Sequence, residues 1–281
     1  MNNVTIITDS ISDLNFSILN EYNIISLPIK IDIDGTLYRD KIDISNEEFY
    51  KIIREKNIFP KTSQISPSEF EEVFSNELNK GNKVICVTVS SYLSGTYNSA
   101  HIAKNNLESD DIFIIDSLSA TVGQGLIVVE LAKYINKAKN IEELLEYSNK
   151  LINNQKSIIG VDSIEMLKRG GRIPKSLATI STLLDIKPLL TLKDGHLEAV
   201  SKVRGMKSLI KNICKTINTS NINKEYSIII AHANNTSHCN LILETLKEQF
   251  PDVEIITSEV GIAVGCHIGE GALAVFIQEK N

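Results

Sequence analysis

Through its first half the chain alternates short apolar runs, at residues 4–8, 25–31, 83–89 and 112–115, with helix-like stretches that open on polar residues. Strands that recur after helical crossovers pair in parallel, so this alternation predicts a parallel, Rossmann-like α/β sheet. The helix starts are marked chemically. Ser45-Asn46-Glu47-Glu48 and Ser66-Pro67-Ser68-Glu69 each place a hydroxyl three residues ahead of a glutamate, the pattern of a capping box, and Pro67 suits the first helical position. A helix is expected over 67–79, with Thr62-Ser63-Gln64 as a loop fixed against its start.

After a long helical stretch at 120–154 the character changes. Residues 157–161 open a new strand, and Asp162-Ser163-Ile164-Glu165 cap a short helix. Residues 186–192 turn through Lys193-Asp194-Gly195 into 196–200, a hairpin signal that calls for a mixed or antiparallel sheet. Helices at 206–218 and 236–250 are expected to cover it. At 281 residues the chain exceeds the size at which a single core usually stops growing. The reading is therefore two α/β domains, residues 1–157 and 158–281, with a ligand between them.

Several classes of function lose their usual marks. The net charge is −6 and the pI near 5.5, which leaves no basic field to hold a nucleic-acid backbone. Cys86, Cys214, Cys239 and Cys266 form no C-x-x-C pair and read as buried reduced thiols rather than metal ligands. No nucleotide-binding P-loop, H-E-x-x-H or EF-hand pattern occurs. Gly123-Gln124-Gly125 lacks the third glycine of a dinucleotide fingerprint, and Ser94 is not set in a nucleophile elbow. The first residues lack the basic and apolar regions of a signal peptide, and the apolar stretch 261–277 is interrupted by His267 and Glu270. A soluble cytoplasmic protein is expected.

Two hydroxyl-rich segments and one histidine remain as candidate chemistry. Ser90-Ser91-Tyr92-Leu93-Ser94-Gly95-Thr96 follows an apolar strand and precedes a helix, which puts hydroxyls and the Gly95 amide at a helix N-terminus. Such a place either caps the helix or binds an anion. Thr62-Ser63-Gln64 supplies a second cluster if the sheet order brings the two segments together at the carboxyl ends of strands. Thr8-Asp9-Ser10 and Asp116-Ser117 also end strands and are read as caps. His267 sits among glycines that allow close backbone approach, yet a lone histidine is more often a satisfied core residue, the reading also given to His101, His196 and His238. Leu177, Ile180, Leu183 and Leu184 form an apolar stripe, read as core packing or as a short mobile cover over 174–184.

Taken in order, Thr8-Asp9-Ser10 with Asp13-Leu14, Thr62-Ser63-Gln64, the Ser90 to Thr96 segment, Asp116-Ser117, Leu167-Lys168-Arg169-Gly170-Gly171-Arg172-Ile173, Ile186-Lys187-Pro188-Leu189 and His267-x-Gly269-x-Gly271 resemble the DegV family. Its fatty-acid-binding members are called FakB in the bacterial fatty acid kinase system. The resemblance spans nearly the whole chain. It implies a buried tunnel for a long-chain fatty acid, with the carboxylate held at Thr62, Ser94, the Gly95 amide and His267, no metal, and no catalytic residue on this chain. It further implies a separate ATP-binding fatty acid kinase that forms an acyl phosphate on the bound acid, and a transient contact with a membrane surface. Arg172, Arg204 and Lys207 are candidate exposed cations for docking that partner. The chain departs from the family pattern at Ile65, Thr121 and Glu270, and an acid at 270 is expected to alter the field or the docking surface. The alternative from another class is an acyl-transferring or hydrolytic enzyme with Ser94 as nucleophile and His267 as base. A second alternative, a phosphotransfer enzyme, follows from the likeness of the fold to a domain of dihydroxyacetone kinases.

Overall fold

A computed structural model describes residues 3–178 and 185–280. In chain order the first half runs β1 (Val4–Asp9), a 3-10 turn (Ser10–Ser12), α1 (Phe16–Glu21), β2 (Ile25–Leu27), β3 (Lys30–Ile33), β4 (Thr36–Arg39), α2 (Asn46–Lys56), β5 (Lys61–Ser63), α3 (Pro67–Asn79), β6 (Lys83–Thr88), α4 (Thr96–Leu107), β7 (Ile112–Asp116), α5 (Thr121–Tyr134) and α6 (Ile141–Asn154). The second half continues with β8 (Gln155–Gly160), α7 (Glu165–Arg169), α8 (Lys175–Ala178), β9 (Ile186–Lys193), β10 (His196–Arg204), α9 (Met206–Asn218), β11 (Ile228–His232), α10 (Thr236–Gln249), β12 (Ile255–Glu259), α11 (Ile262–Ile268) and β13 (Leu273–Gln278).

The first half builds a four-stranded parallel sheet of order β2-β1-β6-β7, as the alternation of runs and helices requires. From Gln155 onward the strands form a separate six-stranded mixed sheet, β10-β9-β8-β13-β11-β12, in which β11 and β12 are parallel and the other pairs antiparallel. The hairpin β9–β10 turns at Asp194-Gly195, both with positive φ, which matches the right-handed twist of its strands. The largest buried apolar cluster takes Ile7 and Val84 from the parallel sheet and Ile159, Leu190 and Phe276 from the mixed one. Apolar surface from both sheets thus meets in one core.

Three expectations need correction. The run at 25–31 is not one strand: Pro28 lacks an N–H for the ladder, and the chain leaves the parallel sheet after Leu27 and re-enters pairing at Lys30 in another sheet. That other sheet is small and antiparallel, of order β4-β3-β5, and its β3–β4 turn is Asp34-Gly35 with both φ positive. Thr62-Ser63-Gln64 is consequently not a loop at a parallel strand's end. Thr62 lies in β5 and pairs with Ile31. The stretch 120–154 is two helices, because Asn140 accepts the Glu143 N–H and starts α6 afresh.

Helix ends follow their chemistry elsewhere. Ser45 and Ser66 make complete capping boxes with Glu48 and Glu69, and Pro67 opens α3. Gly123 and Gly125 serve close packing inside α5, where a Cβ would strike Phe276 and the Ser12 carbonyl respectively. Among the described residues, no helix is long and apolar enough to cross a membrane. All four cysteines are free and buried. Leu177 is buried in the shared core, while residues 180, 183 and 184 of the suggested cover lie outside the described residues.

Candidate functional site

Between the sheets lies a cavity of about 370 Å³, which falls in the range of small-molecule sites. Apolar side chains make most of its wall, among them Ile11, Ile29, Leu93, Ile159, Val260 and Phe276. Its polar members are Thr62, Ser63, Gln64, Ser94, Thr121, Arg172 and His267. The two hydroxyl segments and the histidine, separate in sequence, therefore open into one space.

Each polar group is placed by a different element. β5 presents Thr62, whose Oγ1 lies 2.9 Å from His267 Nε2 on the last turn of α11. Ser94 sits before α4, where its Oγ pairs with Thr96 Oγ1 at 2.9 Å and accepts the Thr96 N–H. Gly95 follows it as the helix cap, makes no side-chain cap bond of its own and lines the cavity at the positive end of the α4 dipole. Gln64 closes the gap between the segments. A Cβ built on Gly95 would fall 1.8 Å from Gln64 Oε1, while Gln64 Nε2 donates to Ser99 Oγ at 2.8 Å.

His267 is neutral at physiological pH. Burial, with the positive charge of Arg172 nearby, brings its pKa down to about 4. Its Nδ1 is buried with no hydrogen-bond partner among the described residues and lies against Gly170, where a Cβ would approach it to 2.3 Å. Gly170 thus makes room for the imidazole.

Arg172 is not the exposed cation expected of it. It is half-buried in the cavity wall, with Nε donating to the Leu93 carbonyl at 3.0 Å and Nη1 to the Gly170 carbonyl at 2.5 Å. Its hydrogen bonds to two carbonyls explain the difference. Arg204 and Lys207 are exposed and stand apart from the cavity. Glu270 does not line the cavity either: it pairs with Arg54 and accepts from Asn234 Nδ2.

The cap-like motifs act as caps and as ties between elements. Asp9 accepts from Ile11 N, Val89 N and Gln124 Nε2, and burial pushes its pKa up to about 6. Asp116 accepts from Ser91 N and Leu118 N. Sequence reasoning missed a second buried pair. Asp13 accepts from Gly261 N at 2.9 Å and Asp40 from Ala263 N at 3.4 Å, so two carboxylates of the first half hold the start of α11. Only the DegV-like motif around Asp13 hinted at it. Thr121 joins this network by donating to Asp13 Oδ2 at 2.5 Å, which holds it at φ +50, an unusual conformation for a β-branched residue. Among the described residues, no cluster suits a metal ion.

With this geometry in place, the comparisons are specific. Residues 3–280 match the family model described as an uncharacterised protein of the DegV family. A DegV domain-containing protein of Clostridium acetobutylicum is 38% identical over 280 residues, covering 100% of both chains. The fold is similar to a fatty-acid-binding DegV family protein from Thermus thermophilus, at a TM-score of 0.91 and 27% identity over 99% of this chain and 100% of the other. It is also similar to the Fatty Acid Kinase (Fak) B3 protein of Streptococcus pneumoniae loaded with linoleic acid, at a TM-score of 0.85 over 99% of this chain and 100% of the other; at 24% identity that likeness shows the fold.

Proposed function

Because the chain belongs to the DegV family, we propose that it buries one long-chain fatty acid between its two sheets and holds the carboxylate at Thr62, Ser94, the Gly95 amide and His267. The observation that carries this reading is that all four groups open onto one mostly apolar cavity.

The two ends of the ligand ask for different chemistry. Burying a palmitate-sized tail contributes roughly 12 kcal/mol gross, at about 0.8 kcal/mol per methylene, and ordering the chain removes part of that. A carboxylate taken out of water needs replacement donors, each charge-assisted bond contributing about 1.5 to 3 kcal/mol. With His267 neutral, a proton on Nε2 donates to Thr62 Oγ1 and leaves the Thr62 hydroxyl proton free for the acid. Ser94 and the open N-terminus of α4 approach from the other segment. Affinity comes from the tail and orientation from the head.

The chain acts as a carrier: a separate ATP-dependent fatty acid kinase phosphorylates the bound carboxylate, docking through the exposed Arg204 and Lys207, with Arg172 in the cavity wall. The hydrolytic or acyl-transferring alternative needs Ser94 activated by His267. Their hydrogen-bond partners argue against it, since His267 Nε2 engages Thr62 and Ser94 engages Thr96.

Titration calorimetry of the delipidated chain tests the reading. Palmitic acid is expected to bind and hexadecanol to bind far more weakly. Equal binding of the two would remove the carboxylate site, and a covalent acyl adduct on Ser94 would establish the enzyme instead.

A further inference from the structure

The cavity has a head-group end at Thr62 and His267 and a far end walled mostly by apolar side chains, and α11 runs between them. Ala263, Val264, His267 and Ile268 share one helical face and line it, with Val260 just ahead of the helix. His267, at the C-terminal end, stands with Thr62, whereas the N-terminal end is held by Asp13 and Asp40. Thr121, bonded to Asp13, therefore belongs to the end remote from the head group. Ile11 and Ile29 stand with it, because Ser10, which accepts the Ile29 N–H, donates to Asp40.

Phe276 stands in this apolar half. It is 1% exposed and faces the cavity from β13 together with Ala274. Behind it is Gly123, two residues beyond Thr121 on α5. A Cβ there would come within 2.5 Å of two ring carbons and 2.4 Å of Ser119 Oγ. The ring already rests on bare backbone, so it has no space to retreat when a tail presses on it. A close-packed interior passes such pressure on rather than absorbing it.

We infer that Phe276, braced by Gly123, limits the acyl length the cavity accepts and is a specificity-determining residue. The inference rests on the fatty-acid reading above. Gly123 has ordinary helical backbone, so a methyl there acts by volume: it drives the ring into the cavity. Removing the ring acts in the opposite sense.

The test is calorimetric titration of the delipidated full chain and its Gly123→Ala, Phe276→Ala and Phe276→Leu variants with lauric, palmitic and stearic acids, with circular dichroism to establish folding. Each methylene that ceases to fit weakens binding about tenfold. Phe276→Ala is expected to shift the preference toward stearic acid by at least that factor, Phe276→Leu less so, and Gly123→Ala toward lauric acid. If Gly123→Ala does not fold, the two Phe276 variants decide. Folded variants that keep the ratios of the unaltered chain would overturn the inference alone. An unaltered chain that binds none of the three acids would remove the fatty-acid reading and the inference together.

Discussion

The Asp13 carboxylate accepts the Gly261 backbone N–H at 2.9 Å across 248 residues of sequence. One buried acid of the parallel-sheet half thereby fixes the start of the helix that carries His267. Asp13 also pairs with Lys41 Nζ at 3.0 Å and accepts the Thr121 hydroxyl. Its side chain is wholly buried while that of Lys41 keeps 26% exposure, so the cation has some access to water and the anion has none.

Asp13→Ala leaves the Gly261 N–H and the Thr121 hydroxyl without their buried acceptor and takes one of several negative charges from Lys41. The expected loss is about 2 kcal/mol of unfolding free energy, chiefly from the unsatisfied buried donors. Asp13→Asn keeps an acceptor and loses less. Urea denaturation of the three proteins measures both; equal stability of Asp13→Ala and the unaltered chain would contradict the role given to the network.

Asp40 makes stability depend on pH. Burial raises its pKa to about 6, and the hydrogen bond from Ser10 only partly offsets that. The folded state therefore takes up this proton before the unfolded chain does. Its contribution is fully present below pH 3.8 and is lost as pH rises through about 6. His267 works against it: its folded pKa is depressed to about 4, so its contribution is present above pH 6.5 and lost as pH falls. Between pH 7 and pH 5 the unaltered chain is expected to gain stability relative to Asp40→Asn, and to lose it relative to His267→Gln. Denaturant midpoints at the two pH values check both signs.

Thr62 and His267 bond to each other, so their contributions to ligand binding are coupled. Thr62→Ala and His267→Ala are each expected to weaken palmitic acid binding by at least tenfold, equivalent to about 1.5 kcal/mol. The double variant is expected to lose less than the sum of the two. Additive losses in calorimetry would mean that the two residues act independently.

Gly170→Ala puts a methyl 2.3 Å from His267 Nδ1 and should displace the ring while the backbone, in its ordinary helical region at φ −75, tolerates the change. Binding is expected to weaken about as much as in His267→Ala, on the order of tenfold, with the far-ultraviolet circular dichroism unchanged. Unaltered affinity would show that the glycine has no part in seating the imidazole.

The fold was legible where the chemistry is local. Ser66, Pro67 and Glu69 define the start of α3, and the hydrophobic spacing of 206–218 gives α9 with both its ends. Asp34-Gly35 announces the β3–β4 hairpin, and Pro28 marks the break ahead of it, although the apolar run 25–31 reads as continuous. Thr62 was harder, because β5 spans only Lys61–Ser63 and owes its existence to pairing with a strand some thirty residues earlier. The meeting of Thr62 and Ser94 follows from strand-end topology only as a condition on the sheet order, and His267 joins them through family resemblance, because no local signal marks it. The embrace of α11 by Asp13 and Asp40 is likewise tertiary: neither acid lies near Gly261 or Ala263 in the chain. Arg172, a cation beside two glycines, reads as surface, whereas two carbonyls hold it in the cavity wall.

Native mass spectrometry of the purified chain, followed by extraction and identification of whatever it carries, bears most directly on the central claim. One long-chain carboxylic acid per chain is expected, depleted in the Thr62→Ala/His267→Ala variant. A chain that emerges empty and then fails to take up added palmitic acid would contradict it.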